Sequence, residues 1–301
     1  LWLGHGAPVP PAPLVPDVLR AVPFRGSDAI RSGVLTRRRL RGSSWRRVLP
    51  DVYVHRDVPV THELRARAAV VLLPESVVTG RSAAVLWDVD LADAGHPVEV
   101  TVPPRSHQVR VEGLVVRRAA LDPDQVWRRR GIPVTTPEAT AVRLASVLPR
   151  DDAVAAVDQL VATGVVRLAA VRALAAASRG PGSARARDVA GLADGLAESP
   201  QETRVRRLVG RSDLRPPVAQ YRVHDQRGLV ARVDFAWPEH RLALEYDGLW
   251  HGGRDQFLRD RERLNRLREA GWQVVFVTAV DLRDPVRLIS RIAAALAVSA
   301  R

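Results

Sequence analysis

The chain has 301 residues, 46% of them hydrophobic, and 46 basic residues against 33 acidic ones give a formal net charge of +13. Cysteine, Met and Lys are absent, which excludes disulfides, thiolate metal sites, cysteine nucleophiles and lysine bases. No run of about 18 uncharged apolar residues suggests a membrane span, the lack of Cys fits a cytoplasmic protein, and the positive surplus asks for a polyanionic partner, most simply nucleic acid.

The surplus is spread along the chain: 19 Arg face 13 acids from residue 199 onward, and 27 face 20 before it. Residues 1–16 are apolar but broken by prolines, without a basic leader, and are expected to be a disordered start. Residues 17–60 form the first unit. Ser27-Asp28 offers an N-cap for a short helix ending near Gly33, Thr36 opens a second helix or turn, and Trp45–Leu49 and Val52–Val54 form a two-strand ribbon. Helix, helix and ribbon outline a winged helix-turn-helix. Between Asp28 and Asp51 stand seven Arg and no acid: Arg31, Arg37, Arg38, Arg39, Arg41, Arg46 and Arg47. Such a cluster suits phosphate contacts, which give sequence-independent affinity that falls with salt. With VLPDVYVHRDV, the stretch resembles the N-terminal winged-helix domain of AbiEi-type antitoxins of type IV toxin–antitoxin systems. The resemblance implies duplex DNA binding as an autorepressor and leaves room for a partner toxin.

Residues 61–179 read as a mixed α/β continuation, and TGRSAAVLW again resembles the AbiEi-like layout. Helices are expected at His62–Leu73, Ser82–Trp87, Asp151–Thr163 and Leu168–Ala177, and strands at His96–Pro103 and Gly113–Arg118. His96 and His107 are lone packing or surface residues, and Arg128-Arg129-Arg130 reads as a solvated or phosphate-facing loop. Residues 180–198 are expected to be a linker and connecting helix, because Arg179-Gly180-Pro181-Gly182-Ser183 is the strongest breaker in the chain.

In residues 199–301, Ser199, Pro200 and Glu202 spell a capping box. A strand, a hairpin, a helix (Asp255–Ala270), an apolar strand (Gln273–Thr278) suited to a sheet interior and a last helix follow. The hairpin pairs Leu229–Trp237 with Arg241–Tyr246 around Pro238-Glu239-His240. A two-residue tip at Glu239-His240 sets Asp234 opposite Glu245, with Asp247 two residues on and on the same face. Three carboxylates so placed repel unless a cation sits among them, and Mg²⁺ or Mn²⁺ suits oxygen ligands.

The α-β-β-β-α-β-α order, Asp234 and Glu245-Tyr246-Asp247 resemble the PD-(D/E)xK nuclease superfamily. SPQETRVRRLV, VDFAWPEHRLALEYDG, GLWH and RDRERLNRLREAGW are similar to a domain of unknown function related to very-short-patch repair endonucleases. The resemblance implies a restriction-endonuclease-like core that hydrolyses phosphodiesters. In it Asp234, Glu245 and Asp247 hold the metal, Glu202 adds a further carboxylate, and Arg254 and Arg261 contact nucleic acid. Asp247 departs from the pattern by standing where the superfamily has lysine; His251 is the nearest replacement for proton transfer. Two functions stay open: a metal-dependent DNA endonuclease fused to an antitoxin-like DNA-binding domain, or a non-catalytic DNA-binding regulator that keeps the nuclease fold. Neither needs a small-molecule cofactor or a membrane, and the oligomeric state stays open.

Overall fold

The computed structural model describes residues 16–248 and 254–299, the side chains of 254–258 and 299 excepted. The chain is a mixed α+β, multidomain protein whose contacts separate two compact units, Leu1–Thr136 and Pro137–Arg301.

The first unit opens with β1 (Phe24–Arg25), α1 (Gly26–Arg31), α2 (Arg37–Leu40), β2 (Trp45–Leu49) and β3 (Val52–His55), the strands ordered β1-β3-β2. Thr36 caps α2 by accepting from Arg39 N at 3.2 Å. Ser27 does not cap α1; its N–H and hydroxyl instead donate to the Asp51 carboxylate at the β2–β3 turn. Asp51 itself takes φ +58° there, a conformation Asp tolerates better than most residues. Phe24, Ala29, Leu35 and Leu40 make a small core, closed by Trp45 set edge-on to Phe24 at 4.9 Å.

The unit continues through α3 (His62–Leu72), β4 (Val77–Val78), α4 (Gly80–Leu86), β5 (Val98–Val102), β6 (Leu114–Arg118), β7 (Val126–Arg129) and β8 (Ile132–Thr135). The five strands form one sheet in the order β6-β5-β4-β8-β7. Alternate valines of β5 (Val98, Val100 and Val102) are buried together with Val78, Val134 and the alanines of α3 and α4. Strand β4 has two residues, too few for a period-2 signal, which is why the sequence reading passes over it. Arg128-Arg129-Arg130 is no free loop. It lies in the β7–β8 hairpin, where Arg129 and Arg130 donate to Asp88 (both 2.7 Å) and Arg130 also reaches Glu63 (2.6 Å).

The second unit begins with five helices: α5 (Pro137–Val147), α6 (Arg150–Ala162), α7 (Leu168–Ala177), α8 (Ser183–Leu192) and α9 (Pro200–Val209). Contacts draw the division at Thr136 and not at residue 180. The Gly180-Pro181-Gly182 breaker is a turn between α7 and α8, which pack on each other, with both glycines at positive φ. Asp158 of α6 is fully buried yet satisfied: Asp194 N, Gly195 N, Thr203 Oγ1 and Arg206 Nη2 all donate to it at 2.8–2.9 Å. It ties α6 to α9 and to the loop between α8 and α9.

Strands β9 (Val218–Asp225), β10 (Gly228–Trp237) and β11 (Leu242–Tyr246) follow, then α10 (Arg254–Glu269), β12 (Gln273–Val277) and α11 (Pro285–Ser299). The sheet order is β12-β11-β10-β9, antiparallel except for the β11–β12 pair. Phe235, Trp237, Leu242 and Leu244 pack with Val205 and Val209 of α9 and with Leu288 and Ile292 of α11. Ala236, Ala243 and Val233 pack with Leu267 of α10 and with Trp272. One helix layer thus covers each face. Strand β12, expected in the sheet interior, is an edge strand among the described residues, and Phe276 is 38% exposed.

Candidate functional site

Two places in the chain gather charge, one in each unit. In the first, Arg37, Arg38, Arg39 and Arg41 on and after α2, with Arg46 and Arg47 on β2, are exposed. No ion pair among the described residues engages any of the six; Arg46 donates to the backbone oxygen of Arg56 at 3.1 Å. Leu40 turns inward between them, so the helical spacing of α2 sends its arginines outward.

In the second unit, the hairpin register pairs Phe235 with Leu244 and Trp237 with Leu242. The paired residues end there; one step beyond, Asp234 and Glu245 come close enough for the charge of Glu245 to act on Asp234. The tip is longer than expected: Pro238–His240 form a single 3-10 turn and Arg241 takes φ +46°. Asp234 Oδ2 accepts from Tyr246 N at 2.8 Å. Burial pushes its carboxyl up to about 6, with the charges of Glu202, Glu245 and Glu198 adding to the shift and the Tyr246 hydrogen bond opposing it.

The other carboxylates around Asp234 each have a partner. Glu202, buried at the start of α9, accepts from Glu198 N (2.9 Å) and Gln220 Nε2 (3.0 Å), and burial raises its pKa. In the capping box Ser199 Oγ accepts from Glu202 N, and the Glu202 carboxylate accepts from Glu198 N as well. Glu198 is paired with Arg232. Glu245, its side chain 10% exposed, is gripped by both terminal nitrogens of Arg263, the Nη2–Oε2 contact being 2.8 Å. Gln220 lies across β9 from Asp234, between the pairs Tyr221–Val233 and Ala219–Phe235, with φ +51°. A non-glycine residue held there costs on the order of 1–3 kcal/mol, a strain that concentrates at functional sites.

The expected trio does not assemble. Asp247 lies past the end of β11 and is exposed. Among the described residues no group of three or more His, Cys, Asp or Glu side chains could hold a metal. Both oxygens of Glu245 are already taken by a guanidinium, so the donor set does not fit a divalent ion. His251 lies outside the described residues, as does the side chain of Arg254; Arg261 is exposed on α10. Gln220 and Arg232, which cradle or neutralise these carboxylates, carry no motif, and Arg263 lies in the RDRERLNRLREAGW stretch without having been singled out. Only the acid-rich helix sequence around Arg263 hinted at an ion-pair role.

Residues 76–192 match the family model of the AbiEi antitoxin C-terminal domain. This antitoxin-like region runs from the strand β4 to the end of α8, and so reaches neither the α2 arginines nor the hairpin carboxylates. Two Mycobacterium tuberculosis proteins are similar: uncharacterized protein MT2308 of strain CDC 1551 / Oshkosh and uncharacterized protein Rv2248 of strain ATCC 25618 / H37Rv. Each is 38% identical over 172 residues, 56% of this chain and 64% of the relative's own length. The crystal structure of RV2827C protein from Mycobacterium tuberculosis aligns with a TM-score of 0.39 and 17% identity, over 68% of this chain and 84% of that one.

Proposed function

We propose that this chain is a DNA-binding regulator of the antitoxin type. Residues 17–60 act as a winged helix that docks on duplex DNA, and the antitoxin-like region 76–192 offers the surface for a partner toxin. The observation that carries this reading is the set of exposed arginines on α2 and β2, which have no acidic partner among the described residues. Arginines left unpaired on a short helix and its neighbouring strand are free to exchange water and counterions for phosphate oxygens. The match to an antitoxin domain supports the same role.

Fluorescence anisotropy with a labelled duplex tests it. Arg38→Ala with Arg39→Ala is expected to weaken binding about tenfold or more, and to lower the slope of log affinity against log salt by about 2. An unchanged slope would move the interface elsewhere.

A second reading, phosphodiester hydrolysis on a nuclease-like sheet, is favoured by one observation: Asp234, its carboxyl pushed up to about 6, stands next to Glu245. That reading requires Arg263 to release Glu245, since the donor set as folded does not fit a metal. If it holds, purified protein nicks duplex DNA in Mg²⁺ or Mn²⁺, and Asp234→Ala abolishes nicking while binding persists. Nicking that survives in Asp234→Ala refutes Asp234 as its site, and nicking that never occurs leaves the regulator alone.

A further inference from the structure

The carboxylates at the end of the hairpin raise a question of charge balance. Glu198, Glu202, Asp234 and Glu245 lie within reach of one another's fields, and Asp234 and Glu202 are pushed toward protonation. Two cations answer them among the described residues: Arg232 on Glu198 and Arg263 on Glu245. Arg232 is half exposed and pairs at the rim. Arg263 is different in kind.

Arg263 is one helical turn before Leu267, the fully buried anchor of α10, and next to Leu264, which packs on the same cluster. Its stem is therefore carried against the sheet and its head delivered to Glu245. The planar fork meets the carboxylate with two parallel contacts, Nη1 to Oε1 and Nη2 to Oε2. The third nitrogen, Nε, faces Asp260 Oδ1 at 3.9 Å, and Asp234 also acts on its charge. One positive group thus meets two carboxylates, Glu245 and Asp260, with the charge of Asp234 acting on it from further off. This is the environment a divalent ion has in a carboxylate site, occupied here by a side chain.

We propose that the Arg263 guanidinium is a built-in counter-ion on Glu245, standing where a divalent cation held by that carboxylate would sit. While Arg263 is in place Glu245 takes no metal; with it neutralised, Glu245 and Asp234 become a site for one hard divalent ion. Two carboxylates and several waters suffice for such an ion. Removing one partner of a largely buried ion pair leaves the other charge uncompensated, which supplies the drive for metal uptake. This inference does not depend on DNA binding through α2, so the arginine variants of α2 and those of α10 report separately.

The test is a titration of the full chain with MnCl₂, followed by calorimetry and by the resonance signal of free Mn²⁺, together with melting curves. Wild-type protein is expected to show no saturable uptake and no Mn²⁺-dependent change in Tm. Arg263→Gln is expected to melt lower without metal, to bind one Mn²⁺ at least about tenfold more tightly than wild type, and to regain much of its lost Tm in Mn²⁺. Arg263→Gln combined with Glu245→Gln should lose the uptake. Arg263→Met, which keeps the length of the stem and removes the charge, serves where Arg263→Gln does not fold: uptake above the wild-type level supports the inference. Wild-type uptake equal to that of the variants, or no uptake in either single variant, overturns it.

Discussion

Asp234 shows how one side chain records its surroundings. Free in an unfolded chain it titrates near 3.8; in the folded protein burial moves it to about 6. Between those values the folded state binds more protons than the unfolded one, so the second unit loses stability as pH rises from about 4 to about 6 and stays level above. At neutral pH the ionised form costs at most on the order of 3 kcal/mol, reduced by whatever solvent reaches the carboxylate. Asp234→Asn keeps an oxygen for Tyr246 N and removes the charge. Denaturant melts at about pH 4 and about pH 7.5 should then show the variant more stable than wild type at the higher pH by on the order of 1–2 kcal/mol, and level with it at the lower. Equal pH dependence in the two proteins would mean that Asp234 is well solvated. The hairpin register was legible in the sequence, because a tip at Glu239-His240 gives the pairs Phe235–Leu244 and Trp237–Leu242. Glu202 was placed beside Asp234 by the resemblance alone, and Gln220 was not foreseen, since it comes from β9 and reaches Glu202 only in the folded sheet.

At the scale of elements, α4 depends on a glycine. Gly80 opens the helix at φ +58°, and a Cβ there would meet Glu99 Oε2 at 2.0 Å. The Glu99 carboxylate from β5 accepts from Arg81 N (3.3 Å) and so does the work of a cap that Thr79 does not do. Gly33, at φ +75° after α1, has nothing within 4 Å. Gly33→Ala is therefore expected to cost about 1–2 kcal/mol, the left-handed penalty alone. Gly80→Ala adds displacement of the Glu99 cap, about 1 kcal/mol more. Denaturant midpoints of the two variants measure the difference; equal losses would show that Glu99 contributes nothing to α4. The sequence placed a helix here from TGRSAAVLW, but not its cap, because the capping group lies 18 residues away on a strand. The same limit explains the β7–β8 hairpin: Arg129 and Arg130 look like a charge run until Asp88 and Glu63 are brought beside them.

Across the whole molecule, a formal net charge of +13 and an arginine-only basic set are properties of composition. They dictate attraction to polyanions and its loss with salt, whatever the fold. No helix among the described residues is long and apolar enough to cross a membrane. Most helices and the longer strands were also readable, since 3.6- and 2-residue periods, Thr36, Ser199 and Gly271 are local signals. Domain division was not: Gly180-Pro181-Gly182 reads as a linker, yet it joins helices packed on each other. What the chain determined by itself was therefore its charge, its periodic elements and the register of one hairpin, each a matter of residues within a few positions of one another. What the tertiary structure alone decided was which charges are answered, leaving the α2 arginines without acids among the described residues and giving Glu245 to Arg263 18 residues away. Counter-ions are chosen by distance in space, and a linear order does not carry that distance.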